Sequence, residues 1–284
     1  MSETAQLLDP VARLTRDLRN AARTLSTDEA RFLVDAYYAM QRDRIRAGHQ
    51  ERTLSESGEP HDVMTWLAGQ RETLELQIRR ALDAYSGAQP AGVWARSIVG
   101  IGPVIAAGLL CHIDIKLAPT VGHIWRFAGL DPTVKWDKGK KRPWNGSLKR
   151  LCFLIGESFV KVHNNEHDVY GKVYVSRKAY EITKNEAGAF AAQAAASLAA
   201  KKFGADTDAR KHYESGKLPP ARIHLRAERY AVKLFLAHLH HVMHELEYKR
   251  PPDKPYILSD AAHLAHPELA GHTHFIAPPN WPMA

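Results

Sequence analysis

The sequence predicts an all-α protein: a helical hairpin or coiled coil at the N-terminus, then a helical domain built around a tight helix-hairpin-helix. Three observations carry this expectation. Apolar residues recur at spacings of three and four over long stretches. Clusters of Gly, Pro and polar residues separate those stretches. Strand signals are nearly absent, since the runs 256–258 and 274–276 are too short to count.

Taken in order, residues 5–24 place Leu7, Leu8, Val11, Leu14 and Leu18 on one helical face. Ser26 followed by Glu29 has the form of a capping box and opens a second helix to about Ala47, with Phe32, Leu33, Ala36, Tyr37 and Met40 as its apolar side. The polar segment 49–60 reads as a loop, and 61–85 as a third helix carrying Leu67, Leu74, Ile78 and Leu82. This pair suits self-association as a coiled coil or ordinary bundle packing. Residues 86–92 form the expected boundary between a 1–90 region and a 91–250 domain. Within that domain, 151–162 is an apolar helix, 168–200 reads as one helix with an Ala-rich end, 203–218 as a polar connection and 219–248 as a long closing helix. Residues 251–284, rich in Pro and His, are expected as a tail along the surface.

Composition narrows the function. The chain has 284 residues, 45% of them apolar, and a net charge of +8. The charge is uneven: residues 1–90 carry 12 Lys/Arg against 14 Asp/Glu, and residues 91–284 carry 27 against 17. A basic second part points to a polyanionic partner, DNA or structured RNA. No apolar run is long enough to span a bilayer, and no membrane partner is expected. Two cysteines, Cys111 and Cys152, make no disulfide framework, and the chain opens without a leader pattern. The expected compartment is therefore reducing and cytoplasmic, with the nucleoid as the location of a DNA-bound form.

Residues 97–110 hold the densest information. Gly100 and Gly102 flank Ile101, and Pro103 follows at a helix start. The glycines allow a turn within a few residues, and the missing N–H of a proline is harmless in a first helical turn. Val104, Ala107 and Leu110 are expected to pack back on the preceding helix. Backbone N–H groups of Gly100, Ile101 and Gly102 at such a turn suit a phosphate oxygen, independently of base sequence. The same spacing also serves a helix connection that binds nothing. Downstream, Lys135, Lys138, Lys140, Lys141, Arg142, Lys149 and Arg150 face a single acid, Asp137, with Trp136 and Trp144 interleaved. Cations match phosphates, and exposed indoles stack on bases or sugars.

At these residues the chain resembles the C-terminal transposase domain of the IS110/IS116/IS902 insertion-sequence family. The resemblance runs over about residues 92–248 and is most specific over 98–151. It rests on the hairpin, on Phe127-Ala128-Gly129-Leu130-Asp131-Pro132, on Asn145-Gly146-Ser147-Leu148-Lys149-Arg150, and on the final helix with Ala227, Tyr230, Ala231, Lys233 and Leu234. It implies DNA binding, transposition and recombination within a mobile element. Two departures stand beside it. The family's acidic RNase-H-like domain has no counterpart in the helical residues 1–90. The family's nucleophilic serine has none between Leu130 and Gly146, where the nearest hydroxyls are Thr133 and Ser147.

Further candidates complete the reading. Ser147 is the hydroxyl for a rearranged strand-transfer site or, alternatively, a helix N-cap. Asp137, with Asp114 and Asp131, offers carboxylates for Mg²⁺ should the chain be catalytic; otherwise no cofactor is expected. His240 and His244, at i and i+4, form a metal-ligand pair to which His263, His266, His272 or His274 of the tail would add a third donor. Cys111 and Cys152 sit in apolar helices as core residues. A helical scaffold whose basic surface meets an acidic protein is a third, non-enzymatic class.

Overall fold

A computed structural model describes residues 14–56, 58, 62–204, 206–253 and 277–283. Among them every regular element is helical, in agreement with the all-α expectation. They divide into two compact units: the described residues up to Arg96 with Gly102–Asp114, and Ser97–Ile101 with the described residues from Ile115 on.

The first unit contains α1 (Arg16–Ala21), α2 (Thr27–Ser55), α3 (Asp62–Gly87), α4 (Pro90–Arg96) and α5 (Pro103–His112). The capping box forms as expected: the Ser26 N–H donates to the Glu29 carboxylate at 2.7 Å, and the Glu29 N–H donates to Ser26 Oγ at 3.3 Å. Helix α2 runs past the predicted end at Ala47, because Gln50, Glu51 and Arg52 are good helix formers and need no core contact to continue a solvated helix. α2 and α3 lie antiparallel. Arg44 pairs with Glu75 at 2.6 Å and Arg71 with Asp43 at 2.9 Å, while Ala30 and Val34 share a core with Leu82 and Tyr85.

Helix α5 enters that same core. Helix α5 does contact α4 as expected, with Leu110 near Gly92, but Val104, Ala107 and Cys111 also join the α2–α3 cluster, against which Leu110 packs as well. The reason is the apolar character of α5 around its whole circumference, which needs two neighbours to cover it. Arg31 donates to the Cys111 carbonyl at 2.7 Å, placing a cation at the negative end of α5. The boundary therefore does not fall at residues 86–92: α4 and α5 belong with α2 and α3.

The second unit contains α6 (Val121–Phe127), α7 (Gly146–Val162), α8 (Tyr170–Glu186), α9 (Ala191–Ala200), α10 (Asp208–Glu214) and α11 (Pro220–Tyr248). α11 is its axis. Phe159 of α7, Tyr170 of α8 and Phe235 of α11 meet with ring centroids 4.9–5.5 Å apart. The predicted 168–200 helix is broken, since Gly188 takes φ +77° and ends α8 with a left-handed residue. The expected polar connection at 203–218 contains α10, whose Tyr213 packs with Phe190, Ala194 and Ile223. Within the expected tail, at residues 277–283, the Asn280 amide donates to the Ser97 carbonyl at 3.2 Å and the Trp281 indole N–H donates to Glu245. His263, His266, His272, His274 and the two short apolar runs of the tail lie outside the described residues, as does the first half of the 5–24 helix.

Candidate nucleic-acid interface

The turn at Gly129 organises the basic loop. Its φ is +65°, and a Cβ there would lie 2.8 Å from the Trp144 ring, so the absence of a side chain lets the indole rest against the backbone. The Asn145 N–H donates to the Phe127 carbonyl at 2.8 Å and closes the loop at its base. Asp131 accepts from the Thr133 N–H at 2.9 Å and from its hydroxyl at 2.7 Å, which holds its carboxyl below the usual range. This is the turn role at Pro132, and Asp131 joins no metal-binding group among the described residues.

The loop holds its cations with indoles. Trp136 and Trp144 meet edge to face at 6.3 Å. The Arg142 guanidinium lies 5.0 Å over the Trp136 ring, and the Lys149 ammonium lies 4.0 Å over Trp144. The Trp136 N–H donates to the Lys140 carbonyl at 2.7 Å. The indoles expected as open stacking platforms are thus each covered on one face by the chain's own cation. Lys135, Lys138, Lys140 and Lys141 are exposed. Asp137 is also exposed, and its carbonyl accepts from Lys140 N–H to close the turn at Gly139.

Helix α7 begins at the end of this loop. Asn145, not Ser147, is the N-cap, its side chain accepting from the Leu148 N–H at 2.9 Å. Ser147 is exposed one residue into the helix, and among the described residues no base is hydrogen-bonded to its hydroxyl. The first turn carries no acid, and Lys149 and Arg150 follow at once. Cations at the positive end of a helix dipole are unfavourable alone and favourable around a bound anion.

Beside the loop lies a cleft of about 780 Å³, walled by α7, α8, α11 and the Gly129–Pro132 turn. Five cations line it: Lys149, Arg177, Arg226, Arg229 and Lys233. Two share a single counter-charge, because the buried Glu181 accepts from Arg177 at 2.6 Å and from Arg226 at 2.7 Å. The other three have no carboxylate within ion-pair distance among the described residues. Partial burial, together with neighbouring Arg229 and Arg142, lowers the Lys149 pKa; burial lowers that of Lys233; burial, with Arg222 and Arg226 nearby, lowers that of Arg229. Sequence reasoning missed Arg226, Arg229 and Arg177. A signal was present in the spacing of Arg222, Arg226, Arg229 and Lys233, which is one helical stripe.

The hairpin turn is partly covered. Gly100, at φ +93°, gives its carbonyl to the Ser158 hydroxyl at 2.6 Å, and a Cβ on Gly100 would lie 3.2 Å from Val162. Ile101 is buried, whereas Gly102 and Pro103 are half-exposed, Gly102 being the N-cap of α5 with Pro103 first in the helix.

The histidine pair does not assemble as a metal site. His240 Nε2 contacts the Ala118 carbonyl at 2.9 Å and His244 Nδ1 the Arg250 carbonyl at 2.8 Å, so each commits a ring nitrogen to the backbone. No third donor joins them among the described residues. Cys111 and Cys152 are free and buried, and burial pushes both thiols up to about 12, as befits core residues. No helix among the described residues is long and apolar enough to cross a membrane.

Comparison with family models, curated proteins and solved structures found no match to this chain. The transposase resemblance accordingly rests on the motif residues named above.

Proposed function

We propose that the chain binds the phosphate backbone of DNA or structured RNA through the basic loop and cleft of its second unit. One observation carries the reading: Lys149, Arg229 and Lys233 line a single cleft with no carboxylate in ion-pair reach among the described residues, and burial lowers the pKa of each, with Asp131 and Glu228 only partly opposing it at Lys233 and Arg229. A bound polyanion would favour their charged forms, and counterion release supplies the affinity. The exposed Lys135, Lys138, Lys140 and Lys141 extend the surface. In the first unit, Gly102 with Pro103 offers a separate helix start open to phosphate. The transposase relationship belongs to this reading as a relationship of binding. An active strand-transfer site is less well supported, because Ser147 has no hydrogen-bonded base. Self-association through residues 1–90 is part of the proposal, supported by the exposed apolar side chains Phe32, Ile45 and Val63 on α2 and α3.

The test is binding of labelled duplex DNA, single strands and folded RNA across a salt series, with products resolved on a denaturing gel. Affinity falling steeply with salt and strands left intact is the expected result. Salt-insensitive binding, or none, would overturn the reading, and cut or protein-linked strands would restore the enzymatic one.

A further inference from the structure

A second constellation lies where α7 meets α11. Glu157 of α7 and His224 and Glu228 of α11 bring one donor atom each to within 4.8 Å of the others. His224 Nε2 is 3.7 Å from Glu228 Oε2. Glu228 supplies an independent observation. It is only 3% exposed, and neither carboxylate oxygen has a hydrogen bond. An unsatisfied buried carboxylate is costly, and a fold retains one where something else meets it.

The local architecture is shaped around that carboxylate. A Cβ on Gly156 would lie 2.2 Å from Glu228 Oε1, so only glycine leaves room for it. His224 Nδ1 is engaged by the Tyr174 hydroxyl at 2.8 Å, and the two rings meet edge to face at 5.4 Å. The hydroxyl can accept from Nδ1–H, and in that tautomer Nε2 keeps a lone pair directed away from Tyr174, as outer partners arrange for a ligating histidine.

We propose that Glu157, His224 and Glu228 form a binding site for a divalent transition-metal ion of the zinc class. One imidazole with two carboxylates is a donor set that zinc accepts, and the nitrogen disfavours magnesium and calcium, which prefer all-oxygen shells. Three protein donors leave a coordination position for water. Glu228 also borders the cationic cleft, but the metal site is inferred from its own donors and does not require nucleic-acid binding there.

The experiment is calorimetric titration of the whole, chelator-stripped chain with Zn²⁺, with Mg²⁺ titrated in parallel and Co²⁺ absorption as the spectroscopic readout. The expected result is a tight zinc equivalent that is lost or weakened at least tenfold in E157Q and in H224A, with weak Mg²⁺ binding. Tyr174→Phe should weaken it by about tenfold. His167→Ala, an exposed histidine elsewhere, should leave it unchanged. Circular dichroism checks that each variant folds, and the nearly isosteric E157Q keeps the test valid if H224A does not. Absence of tight zinc binding, or zinc binding that E157Q and H224A both leave unchanged, would overturn the proposal.

Discussion

Lys149 rests its ammonium 4.0 Å over the ring of Trp144, with no carboxylate in ion-pair reach among the described residues. An indole orients a cation without neutralising it, so the charge stays available to an anion. Arg142 on Trp136 repeats the arrangement 5.0 Å from its ring. A loop that paired the same cations with acids would be better satisfied alone and poorer at binding phosphate.

This makes the loop testable. Replacing Lys140, Lys141 and Arg142 together by Ala should lower affinity for all sequences alike. The slope of log K against log salt should fall by about 0.9 for each duplex phosphate that the variant no longer neutralises. Trp144→Ala should also weaken binding, because Lys149 loses its support while the net charge is unchanged. Fluorescence anisotropy across a salt series reads both. An unchanged slope in the triple variant would exclude the loop.

Arg229 gives a second prediction, on the balance between stability and binding. Its pKa is lowered by burial, then by Arg222, with Glu228 opposing and Arg226 adding to the depression. Arg229→Gln should remove repulsion, leave the Tm equal or higher, and lower nucleic-acid affinity, with the salt slope shallower by about one. A fall in Tm with binding intact would show that Arg229 serves packing instead.

How much of this is legible in the sequence depends on the range of the interaction. The Ser26–Glu29 cap is readable because its partners are three residues apart, and the loop's positive charge because it is contiguous. The end of α8 at Gly188 is not, since glycine within a helical pattern does not announce whether its φ turns positive. The pairing of α5 with α2 and α3 depends on which of several apolar surfaces meet, and periodicity is silent on that. The cleft needs Arg177 of α8, Lys149 of α7 and Arg229 of α11 together, residues far apart in the chain. The Glu157–His224–Glu228 group is hidden for the same reason, while the conspicuous His240 and His244 bond backbone carbonyls.

Gly92 tests the first unit. A Cβ at this position would lie 2.1 Å from the Ser86 carbonyl oxygen and 2.9 Å from Leu110 Cδ1. The first obstacle is backbone, which a rotamer change cannot move. Gly92→Ala should therefore destabilise the protein by about 1–3 kcal/mol, as overpacking does. Gly69→Ala, in α3 with nothing within 4 Å of an added Cβ, should instead be neutral or stabilising by up to about 1 kcal/mol through helix propensity. Urea unfolding of the two variants measures the contrast, and equal effects would contradict the packing described for α3 and α4.

Two buried histidines predict the response to acid. Burial lowers the pKa of His240, with His244, His241 and His123 adding to the depression and the Ala118 carbonyl opposing it. Burial also lowers that of His112, where Arg31 acts in the same direction and Asp35 against it. Both are below the ordinary value of 6.5. Below that pH the unfolded chain binds protons that the folded one refuses, so this contribution to stability is full at pH 7.5 and lost as pH falls from about 6.5 through the lowered folded values. Each histidine can remove up to about 1.4 kcal/mol per pH unit in that window. The Glu228 carboxyl, raised to about 7 by burial, acts the other way by taking up a proton in the folded chain across the same window. The readout is therefore a difference: in urea unfolding at pH 7.5 and 5.5, His240→Gln, whose amide can still donate to Ala118, should lose less stability on acidification than the parent. Equal pH responses of parent and variant would mean that burial does not lower the His240 pKa.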